Sequence, residues 1–420
     1  MTKNTKRIVL AFFVVAIAGI AIFFCAQNKD KASQNQPYLV VLSLDGFRWD
    51  YTSSFSLPNL SQMAQEGVSA DALIPSFPTK TFPNHYSMAT GLYPDNHGII
   101  LNNFFNTSLN KQFVAGDPAS VGDANFFGGE PIWATAEKQN IRTANYFWVG
   151  SEAPTGGVSP SIWKKYDHNM PFTARIDSVI NWLQLPDNKR PHLIMWYMHE
   201  PDAIGHADGP RGEQTKKTLV YLDSLIGVFR AKLKELPIGE QVNFMVVSDH
   251  GMGEIAPERT LYLDELVPRY WLGRCNAESV MMNLSAIDAY KDSLYNRLQK
   301  VEHLKVWKKE EVPARLHYGK NPNLVDLVVV ADSAWNILVT NDQNQLYSKG
   351  AHGYDNQNKD MHGIFYAVGP AFKKGYKQAA FENVNLYPLF AKILGVTPAK
   401  VDGTLEPVQG MLVEPAEVKK

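Results

Sequence analysis

Two hydrophobic patterns alternate along the chain. Short, almost continuous apolar runs occur at PYLVVLSLDG (37–46), PHLIMWYMHEPD (191–202), QVNFMVVSDHG (241–251) and GIFYAVG (363–369). Each is bounded by Gly, Pro or Asp, as a buried strand is. Between them lie segments with apolar residues at helical spacing: LPNLSQMAQEG ending at Gly67, GGEPIWATAEKQN, PFTARIDSVINWL and GEQTKKTLVYLDSLIGVFRAKLKEL. VSADALI and IRTANYFWV predict two further strands. Strands without polar alternation are buried on both faces, so the expected fold class is α/β, with a mostly parallel sheet flanked by helices. After Gly253 the texture changes. DELVPRYW, AIDAYKDSLYNRLQK, EHLKVWKKE and NLVDLVVVADSAWNIL predict a small inserted α/β subdomain with a strand or two, over 256–345. The main core is then expected in two parts, 37–255 and 346–410, with 411–420 as a tail.

The first 36 residues are a different material. Lys3, Lys6 and Arg7 precede Ile8–Ala26, 19 residues without a charge, and the polar run QNKDKASQNQ follows. That approaches the roughly 20 apolar residues a spanning helix needs. The basic flank predicts a cytoplasmic N-terminus and an exported body. A cleaved signal peptide, an uncleaved anchor over residues 8–26 and a lipoprotein signal ending at Cys25 all fit this pattern, although Phe24 is bulky for the last. Each places the body outside the inner membrane, in a periplasm or cell envelope. Composition narrows the partners: 41 basic and 42 acidic residues leave a net charge of −1, so no stable nucleic-acid partner is expected. Cys25 and Cys275 are the only cysteines, which excludes a disulfide framework and a thiolate metal site. Any metal must be held by carboxylate and imidazole.

Three apolar strands run into such groups: the first into Asp45, the second into Glu200 and Asp202, the third into Asp249 and His250. Sites in open α/β sheets form outside the carboxyl ends of strands. A turn aspartate explains one such ending; three together point to a site. Asp202 and His206 form D-x-x-x-H, which shares one helical face and can grip a cation; on spacing alone, a turn Asp and an exposed His fit equally. Asp249 and His250 need a turn to face the same way. His352, in the polar loop SKGAHGYDN, adds a third imidazole. Three carboxylates and three imidazoles suffice for two divalent ions, and a pair about 3.5–4 Å apart suits in-line displacement at phosphorus. The stretch PSFPTKTFPNHYSMATGLYPDNHG (75–98) supplies hydroxyls at Thr79 and Thr81. A threonine hydroxyl needs a base or a metal to act as nucleophile. The residues alone leave Thr79 and Thr81 open, and His85 is expected to be structural.

LSLDGFRWDY, FPTKTFPNHYSMATGLYPDNHGII, YFWVGSE, EPDAIGHADGP, VVSDHGM and the AHGYDN loop occur in this order between about 42 and 355. Together they resemble the nucleotide pyrophosphatase/phosphodiesterase family of the alkaline phosphatase superfamily, read here as a bacterial member. The resemblance implies an alkaline-phosphatase-like core and two zinc ions per chain. It places the nucleophile on Thr81, before Phe-Pro-Asn, and not on Thr79. One zinc would be held by Asp45, Thr81, Asp249 and His250, and the other by Asp202, His206 and His352. Asn102 would steady a phosphoryl oxygen, with its neighbour Asn103 as the alternative. Trp148 and Tyr166 match aromatic positions that flank a nucleobase, and Phe82 is a further wall. The implied activity is metal-dependent hydrolysis of nucleotide phosphodiester and pyrophosphate bonds, through a covalent threonine intermediate, releasing nucleoside 5′-monophosphates. Small nucleotides are then the partners expected. Two other readings compete: a phosphodiesterase acting on choline- or glycerol-containing diesters, and a non-catalytic envelope binding protein.

Overall fold

The apolar run at 38–44 forms the strand Tyr38–Leu44 (β1), buried at every residue. Successive side chains alternate between two cores. Leu39 and Val41 join Met195, Met245, Trp133 and Leu389 on one face; Val40, Leu42 and Leu44 join Trp196, Val179, Leu222 and Phe229 on the other. A strand covered on both sides must be apolar at both parities, which is why the sequence shows a run and not an alternation.

The computed structural model describes residues 36–341 and 348–414. The expected membrane or signal segment, with Cys25, lies outside the described residues. No described helix is long and apolar enough to cross a membrane. Seven more strands complete the main sheet: Val68–Ala70 (β2), Thr143–Tyr146 (β3), Ile162–Lys164 (β4), Leu193–Met198 (β5), Val242–Val247 (β6), Phe365–Val368 (β7) and Tyr376–Gln378 (β8). Their order is β8-β2-β7-β6-β1-β5-β3-β4. Only β7 runs against its neighbours; the other pairs are parallel. VSADALI splits into β2 and a short strand, Leu73–Ile74, that pairs with Phe381–Glu382.

The register decides where the chemistry sits. β1 lies between β5 and β6, with Leu44 opposite Met198 and Ser43 opposite Val247. The three strands that end in acidic or imidazole groups are thus neighbours, and their carboxyl ends share one edge. Two helices complete that edge. Thr81–Thr90 (α1) begins at Thr81, tolerates Pro83 in its first turn, where the missing N–H has no partner to lose, and stops at Gly91 in the left-handed region (φ 66°). Asp202–Asp208 (α2) follows β5 and carries both Asp202 and His206.

Residues 256–345 are richer in strands than their sequence suggested. Leu272–Glu278, Met281–Ala286, Leu327–Ala331 and Leu304–Lys308 form, in that order, an antiparallel sheet. The helix Lys291–Leu298 contributes Leu294 and Leu298 to its separate core. The first strand hides in LGRCNAE, where polar residues break the apolar run. It packs beside the strand Asn103–Asn106, next to Asn102.

Candidate metal centre and adjoining cavity

Asp45 and Asp249 each spend one oxygen on a hydrogen bond within the protein and leave the other without one. Asp45 Oδ2 accepts the Tyr197 hydroxyl at 2.5 Å, and Asp249 Oδ1 accepts the Gly46 N–H at 3.1 Å. Asp45 Oδ1, Asp249 Oδ2 and Asp202 Oδ1 are buried without a hydrogen-bond partner. Such orphans cost free energy unless a cation or donor meets them. Gly46 makes the convergence possible. It sits at φ +69°, and a Cβ there would lie 3.0 Å from Asp202 Cα, so the chain turns closely past the second carboxylate.

The histidines are oriented in the same sense. His250 Nδ1 donates to Gly251 O at 2.8 Å, His206 Nδ1 to Gly350 O at 2.7 Å and His352 Nδ1 to Thr79 O at 2.9 Å. A carbonyl accepts only, so in the neutral ring the proton is on Nδ1 and Nε2 presents a lone pair. His250 Nε2 lies 3.1 Å from Asp249 Oδ2 and 3.4 Å from Asp45 Oδ1. His206 Nε2 and His352 Nε2 each lie 3.5 Å from Asp202 Oδ1. Lone pairs facing carboxylate oxygens at such distances repel each other unless a cation stands between them. Two metal-ligand groups result, Asp202–His206–His352 and Asp45–Asp202–His250, each with its ligand atoms within 4.8 Å of one another. Their mixed oxygen and nitrogen donors fit two zinc ions, and their carbonyl-anchored imidazoles are the second shell a zinc ligand requires.

Electrostatics agree with the geometry. Burial first, and then the charges of Asp249 and Asp202, push the Asp45 carboxyl well above the usual carboxylate range. Burial also raises Asp202 and lifts Asp249 to about 8. The same desolvation pushes His250 and His352 well down, toward neutral ligand-ready imidazoles.

The two threonines now differ physically. Thr79 is fully buried. Its Oγ1 donates to Tyr354 O at 3.0 Å and accepts the Gly353 N–H at 2.9 Å, which ties the His352 loop to the 75–81 stretch. Thr81 starts α1, with Oγ1 3.2 Å from His250 Nε2. Asn102 Oδ1 accepts the Phe82 N–H at 2.9 Å, leaving its Nδ2 donors for another acceptor beside Thr81. Asn103 Nδ2 is instead directed to Glu278 Oε1, at 3.2 Å. Glu200 stands apart from the metal groups: its Oε2 accepts the Ile204 N–H at 3.0 Å and caps the first turn of α2.

Thr81 also opens onto a cavity of about 370 Å³, walled by Phe82, Phe147, Trp148, Tyr166 and Tyr197, with Glu152 and Lys165 among its lining residues. The two aromatics singled out in the sequence are placed differently there. Tyr166 is 42% exposed, and Glu152 Oε1 holds its backbone N–H at 2.9 Å. Trp148 is only 1% exposed; its indole N–H donates to His85 O at 3.0 Å, and its ring meets the His85 ring edge-on. Trp148 thus braces α1 from the core while one edge borders the cavity.

One residue expected to be structural, His85, and one that escapes a reading of sequence alone, Tyr197, complete the site. His85 Nδ1 faces Thr81 O at 3.0 Å and Asp249 Oδ2 at 3.3 Å, and its Nε2 takes the Ser43 hydroxyl at 2.9 Å. It therefore steadies the strand-end carboxylate and the first turn of α1 together. Tyr197 lies in an apolar run that reads as pure core; its phenol is the one signal that something at the strand end needed a donor.

The chain matches the family model described as type I phosphodiesterase / nucleotide pyrophosphatase over residues 39–355. It is 34% identical to mouse ectonucleotide pyrophosphatase/phosphodiesterase family member 1 over 91% of this chain, and spans 44% of that protein, less than half its length. A Schizosaccharomyces pombe protein, described as an uncharacterized pyrophosphatase/phosphodiesterase, is 34% identical over 97% of this chain and 90% of its own. Among solved structures, an inactive threonine-to-alanine variant of murine ectonucleotide pyrophosphatase/phosphodiesterase 5, in complex with AMP, superposes with a TM-score of 0.85. It is 32% identical, over 90% of this chain and 100% of that one. The α/β fold expected from the motifs is the fold shared with that structure. The bacterial attribution and the periplasmic or cell-envelope location are corrected by the same findings. The relatives are mammalian, snake and fungal proteins, so the similarity points to eukaryotic members and carries no bacterial compartment.

Proposed function

The chain belongs to the type I phosphodiesterase/nucleotide pyrophosphatase family, and we propose that it hydrolyses nucleotide phosphodiesters and pyrophosphates to nucleoside 5′-monophosphates, with Thr81 as nucleophile. The observation that carries this reading is the double position of Thr81. Its hydroxyl lies 3.2 Å from His250 Nε2 at the metal groups, and the same residue lines the aromatic cavity. When bound, two zinc ions supply the charge that acidifies an oxygen nucleophile and stabilises an in-line phosphoryl transfer.

The chain's own residues set up the rest. Asp45 and His250, with Asp249 Oδ2 3.1 Å from the His250 ring nitrogen, would hold one ion near Thr81, and Asp202, His206 and His352 the other, Asp202 lying within reach of both groups. The positive end of the α1 dipole lies at Thr81 and favours the negative charge that gathers there. Thr81 Oγ attacks phosphorus, the bond from phosphorus to the leaving oxygen breaks, and a nucleotidyl-threonine diester forms. Water then cleaves that diester, restoring the threonine and freeing the monophosphate. The Asn102 amide donates to a phosphoryl oxygen as charge develops. Tyr166 and Phe82 offer faces to the base, a stacking contact worth about 1–3 kcal/mol. The AMP carried by the murine relative supports a nucleoside in this cavity.

A product-resolved assay tests the reading. The zinc-loaded chain receives ATP, a dinucleoside polyphosphate and glycerophosphocholine at matched concentrations. AMP with pyrophosphate from ATP is the expected outcome. ADP with phosphate, or turnover of glycerophosphocholine alone, would overturn it.

A further inference from the structure

The phosphoryl-binding edge is held in part by a residue of the inserted sheet. Glu278 ends the strand Leu272–Glu278 and is 9% exposed. Its Oε1 accepts the Asn103 N–H, which belongs to the peptide that follows Asn102, at 2.5 Å, and Asn103 Nδ2 at 3.2 Å. Its backbone oxygen accepts the buried Lys80 ammonium at 2.9 Å. Oε2 is buried with no partner. One residue therefore grips the segment that carries Asn102 and, through Lys80, the residue that precedes Thr81.

We infer that Glu278 is a positioning residue for the reaction: it fixes Asn102, and so the placement of the phosphoryl oxygen relative to Thr81. The inference rests on the hydrolase reading above. Chemistry favours positioning over charge balance as its role. One carboxylate oxygen meets both the backbone N–H and the side-chain amide of Asn103, so reach and direction matter at that oxygen. Asn102 Oδ1 is meanwhile pinned by the Phe82 N–H, so the amide is fixed from α1 at its tip and from the inserted sheet at its backbone. Misplacement of a reacting group by about 1 Å costs on the order of 10²-fold in rate. The four-stranded sheet that carries Glu278 then supplies one jaw of the phosphoryl clamp.

The test uses the full zinc-loaded chain and the p-nitrophenyl ester of thymidine 5′-monophosphate. Glu278→Asp keeps the charge but shortens the reach; Glu278→Gln keeps the reach and removes the charge. Positioning predicts that Glu278→Asp lowers kcat by about 10–100-fold, with KM within about twofold and zinc content unchanged. Glu278→Gln should recover most of that loss. In an Asn102→Ala background the Asp change should cost no more than about threefold, because the group it positions is gone. A kcat for Glu278→Asp within about threefold of wild type, or its full loss persisting in the Asn102→Ala background, overturns the inference. Should Glu278→Asp fail to fold, Glu278→Gln decides alone: a kcat well above that of Asn102→Ala supports positioning, and one as low overturns it. Wild-type chain inert toward the ester overturns the hydrolase reading and this inference together. Wild-type turnover with a contrary variant pattern overturns the inference alone.

Discussion

The metal groups and the cavity beside them share Thr81 but are built on opposite plans. At the strand edge nearly every polar atom is fixed: Tyr197 holds Asp45, Gly46 holds Asp249, and backbone carbonyls hold the Nδ1 of three imidazoles. Across Thr81 the walls are mostly aromatic and aliphatic, and Tyr166 is 42% exposed, its ring set edge-on against Phe147. The first region can tolerate little displacement, because its orphaned oxygens are aimed at a common centre. The second sorts substrates by shape and stacking, and neighbouring walls share that work. Substitutions in the metal region should therefore strike turnover itself, whereas those in the cavity should strike the choice of substrate.

The largest break in that comparison is at the shared residue. Thr81→Ala should lower kcat on the ester by a factor on the order of 10³ or more, as loss of a covalent nucleophile does. Zinc content should stay at that of the wild-type chain, because the carboxylates and imidazoles remain. Full turnover by this variant, with both metals present, would remove Thr81 from the chemistry.

One step away, Tyr197→Phe deletes only the hydroxyl that pins Asp45. Loss of such an outer partner costs about 10–100-fold in metal affinity or activity. The expected result is a weaker zinc affinity and a lower kcat, measured by metal titration and by steady-state kinetics. If zinc affinity were unchanged and only KM rose, Tyr197 would be a cavity wall and nothing more.

In the cavity, Tyr166→Ala should raise KM for nucleotide substrates, a loss of about 1–3 kcal/mol of stacking, with little effect on zinc content. Trp148→Ala should behave differently although it lines the same cavity. Trp148 is buried and its indole N–H is bonded to His85 O, so its removal should cost about 3–5 kcal/mol of stability, seen as a lower Tm. Equal KM effects from the two, without a stability difference, would mean that Trp148 is as much a base contact as Tyr166.

How much of this the sequence discloses depends on what a residue's neighbours are. Asp45, Asp202 and Asp249 stand out because each breaks an apolar run at its carboxyl end, and a parallel sheet brings such ends together. That β6, β1 and β5 are adjacent is a fact of register, which local pattern does not carry. The choice between Thr79 and Thr81 needs tertiary partners: only the fold reveals that the Thr79 hydroxyl is consumed by Tyr354 and Gly353. Helix α1 is masked in sequence by Pro83, which is harmless in a first turn and misleading in a string. Glu278 could not be read at all, since its partners Asn103 and Lys80 lie 175 and 198 residues away in the chain.

The smallest effect sharpens the electrostatic side of the comparison, and it concerns the chain with its metals removed. Burial lifts Asp249 to about 8 in the folded chain, whereas an unfolded aspartate titrates near 4, within about a unit. Between those values the folded state binds the extra proton, so stability falls as pH rises. His250 and His352 are pushed down; they stay neutral when folded and become protonated when unfolded, so their contribution rises with pH until about 6.5 and is then complete. The two trends oppose each other in acid, and above about 6.5 the raised carboxylates, Asp45 with Asp249, act without the histidines. Chelator-treated chain should thus lose about 1–2 kcal/mol between pH 6.5 and 8, read by urea denaturation at the two values. Zinc-loaded chain should lose none, because its carboxylates are already ionised as ligands. A flat profile without metal would mean that water or another donor relieves the orphaned oxygens, and the case for a cation drawn from them would weaken accordingly.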